Sequence, residues 1–114
     1  MLRCLVIAVL LIHASSSALV QTVRLDQYQH SSEPKFKVFN QVYLKGVVDG
    51  LIAFSVAQDA RDRFFCMPPM MAITVEQAED IMLRYAEKKQ VPGTVPIGVP
   101  LLGGLKDAFP CTKE

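Results

Sequence analysis

Residues 36 to 59 read FKVFNQVYLKGVVDGLIAFSVAQD, and their spacing decides the fold class. Phe36, Phe39, Tyr43, Gly46, Val47, Gly50, Leu51 and Phe54 recur at intervals of three and four, which lays them along one face of a helix. Val48, Ile52, Ala53 and Val56 make the same stretch apolar nearly all round, so it is expected to be the central, buried helix. Gly46 and Gly50 stand one turn apart on that face. A glycine inside a helix costs about 0.5–1 kcal/mol relative to alanine, so the pair predicts the close approach of another helix.

Downstream, Gln58-Asp59-Ala60-Arg61-Asp62-Arg63 is a charged helix end or loop, followed by Phe64-Phe65-Cys66-Met67-Pro68-Pro69. The paired prolines stop a helix and favour extended backbone before them, giving an ordered connection held by its aromatics and its cysteine. Thr74-Val75-Glu76-Gln77 is a capping box, and Val75, Ala78, Met82 and Tyr85 form the apolar stripe of a helix over residues 74 to 89. Acidic residues early and Lys88-Lys89 late complement its dipole. Residues 91 to 104 are rich in breakers (Pro92-Gly93, Pro96, Gly98, Pro100, Gly103-Gly104), with a short final helix expected over residues 100 to 109. No alternating strand pattern occurs. The fold class is all-α, three or four helices in a small domain.

Upstream, Arg3, the apolar run Leu5 to Ile12 and the small residues Ser16 and Ala18 read as a secretory signal peptide cleaved after Ala18. The run is well short of the roughly 20 residues that span a bilayer. Residues 1–18 are therefore expected to leave. Residues 19–35 read as a mobile leader with a short ordered piece around Val23 to Tyr28, and residues 36–114 as the helical domain. Cleavage removes Cys4 and Arg3. Two cysteines remain, Cys66 and Cys111, in an oxidising destination where an even set implies a bridge. That bridge closes a loop of about 46 residues, worth roughly 4 kcal/mol by chain entropy. Eleven basic and eleven acidic residues remain, with no basic run, which argues against nucleic acid. No second long apolar stretch exists, so no membrane attachment is expected after cleavage.

Catalytic patterns are poor. His30 is the one histidine beyond the signal, and it lies in the polar leader while both cysteines are committed to each other. Acid pairs such as Asp59 with Asp62 or Glu76 with Asp80 read as solvated helix charge. Gly98 and Gly103 have the spacing of a phosphate loop without its Lys and Ser/Thr. Met67, Met70 and Met71 are soft enough for monovalent copper. A single short cluster reads more simply as gap filling under a proline-rich loop, or as an adaptable protein-contact surface. No metal, no cofactor and no enzyme activity are expected.

Tyr43-x-x-Gly46, Asp49-Gly50, Phe65-Cys66-x-Pro68, Thr74-x-x-Gln77, Tyr85 and Ala108-Phe109-Pro110-Cys111, in this order, resemble the Rap/Tai-type immunity domain over residues 36 to 111. The resemblance implies a small helical periplasmic protein, in many cases a homodimer. Such a protein neutralises a peptidoglycan amidase of a type VI secretion system by occluding its active site. It also implies that Cys66 and Cys111 are the family's bridge, and that Tyr43, Gly46 and Gly50 pack rather than bind. Two departures stand out: Val38-Phe39-Asn40 lacks the further cysteine often found there, and the last segment carries breakers where a regular helix is usual. Recognition is expected on the connections, at Asp59, Arg61, Asp62 and Arg63, at Met67, Met70 and Met71, and at Lys88, Lys89 and Gln90. The alternative is a periplasmic stress or chaperone-like helical protein without a cognate toxin.

Overall fold

The computed structural model describes residues 22 to 112. The signal peptide expected over residues 1–18, with its expected cleavage after Ala18, lies outside the described residues. Four α-helices occur among them, with no strand: α1 (Leu25–Gln29), α2 (Pro34–Ala57), α3 (Val75–Lys89) and α4 (Gly98–Ala108). A 3₁₀ turn at Ala60–Asp62 follows α2.

The capping box forms as its residues dictate. The backbone N–H of Gln77 donates to Thr74 Oγ1 at 3.1 Å, and Thr74 N–H donates to Gln77 Oε1 at 2.9 Å. The amphipathic stripe of α3 then buries Ala78, Met82 and Ala86. α3 and α4 pack on one another, and the short final helix expected over residues 100 to 109 is α4, which begins two residues earlier at Gly98. Pro100 sits in the first turn of α4, where a missing N–H is harmless. Gly103 and Gly104 lie inside the helix. A Cβ on Gly104 would meet the Ile81 carbonyl oxygen at 2.7 Å, and one on Gly103 would run into the Tyr85 ring. These glycines are notches that let α4 close on α3.

The expected central, fully buried helix is also corrected. α2 packs on α3 and α4 and buries Leu44 and Val48, with Asn40 buried beside Ser31 and Ser55 beside Phe65. Its opposite face leaves Phe36, Val38, Phe39, Val42, Phe54 and Val56 exposed. Gly46 and Gly50 lie on that open face, where an added Cβ would meet nothing within 4 Å beyond its own helix's backbone and chain neighbours. The physical reason is size. A domain of this length has too few elements to surround a 24-residue helix.

The segment before α2 contributes to the core. Val23, Leu25 and Tyr28 are buried, and the backbone is stitched to the α3–α4 connection. Leu25 N–H donates to the Val95 carbonyl at 2.9 Å, and Ile97 N–H to that of Val23 at 3.0 Å. The short ordered piece expected around Val23 to Tyr28 is thus α1 and its approach, docked on the helical pair. Leu44, Val48, Phe65, Ile73, Met82, Ile97, Leu101 and Leu105 complete one core with Val23 and Tyr28. Cys66 is bonded to Cys111, which ties the α2–α3 connection to the end of α4.

Candidate functional site

The α2–α3 connection is held from several sides. Phe65 is buried, and its carbonyl accepts a hydrogen bond from Ser55 Oγ at 3.0 Å. Cys66 N–H donates to the Phe109 carbonyl at 2.8 Å beside the bridge. Ile73 is buried just before the Thr74 cap. Between these anchors the chain turns outward.

The charged residues expected to bind divide in two. Asp59, Arg61 and Asp62 are exposed around the 3₁₀ turn. Arg63 instead folds back, its guanidinium donating to the carbonyls of Gln58 at 3.3 Å and Val56 at 3.4 Å. It closes the end of α2. The three methionines also differ. Met67 is half-buried against the core, Met71 is 46% exposed, and Met70 is exposed without any covering contact, at 103%. Nearby in sequence, Phe64 is half-exposed with the Lys106 ammonium 6.0 Å from its ring centre.

Met70 has a positive φ of 66°. Met71 N–H donates to the Pro68 carbonyl at 3.3 Å, closing a four-residue turn with Pro69 and Met70 at its centre. The second central position of such a turn normally takes glycine. An L side chain in left-handed backbone costs about 1–2 kcal/mol.

The third expected site, Lys88, Lys89 and Gln90, lies at the other end of α3, about 22 Å away along a 15-residue helix. Lys88 pairs with Asp107 at 3.7 Å, while Lys89 and Gln90 are exposed. Gln90 also has a positive φ, 51°, but as the C-cap of α3, where left-handed backbone ends a helix. The three connections therefore do not converge. The fold joins the 58–63 and 67–71 segments at one end and leaves 88–96 at the other.

Sequence reasoning did not find the exposed face of α2. The signal was present, since a long helix apolar on all sides cannot be covered by three short partners. A cleft of about 550 Å³ borders this face, lined by Arg24, Gln27, Ser31, Phe36, Phe39, Asn40 and Tyr43 among others. Asn40 is buried in it and donates to Ser31 Oγ at 2.7 Å; Arg24 is paired with Asp26. His30 is exposed, its Nδ1 2.8 Å from the Asp26 carbonyl oxygen. Among the described residues no group of three or more His, Cys, Asp or Glu side chains is placed to hold a metal ion, and no helix is long and apolar enough to cross a membrane.

Anchored turns on a bridged helical frame leave apolar side chains exposed in one loop and along one bare helix face. The chain matches the Rap1a immunity proteins over residues 15–111, and it belongs to that family. It is an immunity protein, and the partner of such a protein is a toxin. No curated protein and no solved structure gives a match.

Proposed function

We propose that this protein is exported to the periplasm, where it neutralises a peptidoglycan amidase delivered by type VI secretion. The mechanism is steric: a rigid surface covers the toxin's cleft, and the immunity protein performs no chemistry. The observation that carries this reading is the Phe64–Met71 connection, fixed by Phe65, the Cys66–Cys111 bridge and the α3 cap, yet ending in a bare apolar tip. A preorganised loop loses little entropy on binding and can hold a cleft shut. The signal-like residues 1–18 and the bridge both suit an exported protein.

The protein acts in this reading as a homodimer through α2. Phe36, Val38 and Phe39 stand at one end of the exposed face and Phe54 and Val56 at the other, with Gly46 and Gly50 between them. An antiparallel copy sets aromatic end against aromatic end and glycine against glycine. The same face would serve a chaperone-like protein if it stayed uncovered.

The test uses mature protein with its bridge intact, mixed with purified peptidoglycan amidases and sized by light scattering. A discrete complex that abolishes amide hydrolysis supports the reading. Capture of many unrelated proteins, stronger at low pH, would move it to the chaperone alternative.

A further inference from the structure

Of the ten large hydrophobic side chains exposed among the described residues, Met70 is the one with no neighbour covering it, and the one on strained backbone. Nothing in the fold explains the choice of residue. The turn asks for glycine at this position, and a fully exposed side chain returns no packing energy. Gln90, the other non-glycine residue with positive φ, differs because its backbone ends α3. The turn is also stiff, since Pro68 and Pro69 fix φ on its entering side and Met71 N–H closes it. Behind it stand the Cys66–Cys111 bridge and buried Phe65; ahead of it stand buried Ile73 and capped Thr74.

We infer that Met70 is the anchor by which this protein holds its toxin, entering an apolar pocket one side chain wide on the partner's surface. The inference rests on the immunity reading above and names the contact within it. A thioether chain is unbranched and adaptable, which suits a narrow pocket whose walls it must fit. Strain that the free fold does not need is the expected mark of a residue kept for its partner. The flanking Met71, half-exposed on the same turn, lies at the rim of the contact.

The distinguishing experiment compares wild type, Met70→Gly and Met70→Leu for thermal stability and for affinity towards a panel of purified peptidoglycan amidases. Met70→Gly is expected to melt about 4 °C or more above wild type, because glycine relieves the turn, and to bind its amidase at least tenfold more weakly. Met70→Leu is expected to bind within about threefold of wild type, as a volume-conserving apolar exchange. Amidase binding by Met70→Gly within threefold of wild type overturns the inference and leaves the immunity reading standing. A melting temperature below wild type also overturns it, because Met70 would then serve the fold. Failure of wild type to bind any amidase overturns the amidase reading, and the inference with it.

Discussion

An added Cβ at Gly104 would lie 2.7 Å from the Ile81 carbonyl oxygen, and backbone cannot swing aside as a side-chain tip can. Gly104→Ala is therefore expected to destabilise the protein by about 1–3 kcal/mol through forced separation of α3 and α4. Gly46→Ala, in open space within α2, should stabilise the chain by about 0.5–1 kcal/mol. Urea unfolding of both variants at low protein concentration checks the pair. Tyr28 gives a second prediction at this scale. Its hydroxyl donates to Glu79 at 3.1 Å. Burial, then the Glu79 charge and hydrogen bond, push the phenol well above its ordinary value near 10. The folded state thus keeps a proton that the unfolded chain releases. The stabilisation is complete below about pH 10 and is lost as pH rises above it. Tyr28→Phe should lower stability at pH 8 by about 0.5–1.5 kcal/mol and lose less than wild type between pH 8 and pH 11. Parallel losses in the two proteins would contradict this assignment.

Among the elements, α2 carries the least expected property. Its spine of Leu44 and Val48 serves the core, whereas Phe39 and Val42 point away from it and are 60% and 68% exposed. Charge placed there leaves the monomer's packing intact. Phe39→Glu and Val42→Glu are expected to change stability by no more than about 0.5 kcal/mol while converting a dimer to a monomer, with the mass measured by light scattering. A wild-type protein that is already monomeric at high concentration would remove the dimer from the proposal. α3 needs no partner to explain its boundaries, since its cap and left-handed end are local. α1 is the opposite case. Five residues cannot persist alone as a helix, and this one depends on the backbone bonds to Val95 and Gly93.

Over the whole molecule, the Cys66–Cys111 bridge joins the α2–α3 connection to the segment just after α4. The loop it closes is long, so opening it should cost about 2–4 kcal/mol. The double variant Cys66→Ser with Cys111→Ser is expected to show that loss in urea unfolding, and to bind more weakly because the turn loses its anchor. Calorimetric unfolding with and without reductant checks the first effect. Equal midpoints would mean that the core alone fixes the connection. The 58–71 and 88–96 connections stand at opposite ends of α3. The Met70 end is the one with the bridge behind it.

The residues alone determined whatever depends on near neighbours. The capping box at Thr74, the period-3.6 stripe of α3, the helical spacing of α2 and the parity of Cys66 with Cys111 all act over short range or through simple counting. The all-α class and the bridge were legible for that reason. The resemblance carried by Tyr43-x-x-Gly46 and the two cysteine contexts placed the chain in its family before any coordinates. Only the tertiary structure decided which glycines are notches. Gly46 and Gly50 read as the site of a helix contact and Gly103-Gly104 as breakers, yet it is the second pair that α3 covers and the first that stays open. The same holds for the candidate site. Arg63 reads as a free cation until its guanidinium is seen closing α2, and Met70 reads as one of three similar methionines. Burial and backbone dihedrals are set by contacts far apart in the chain, so the exposed, strained one became visible only in the fold.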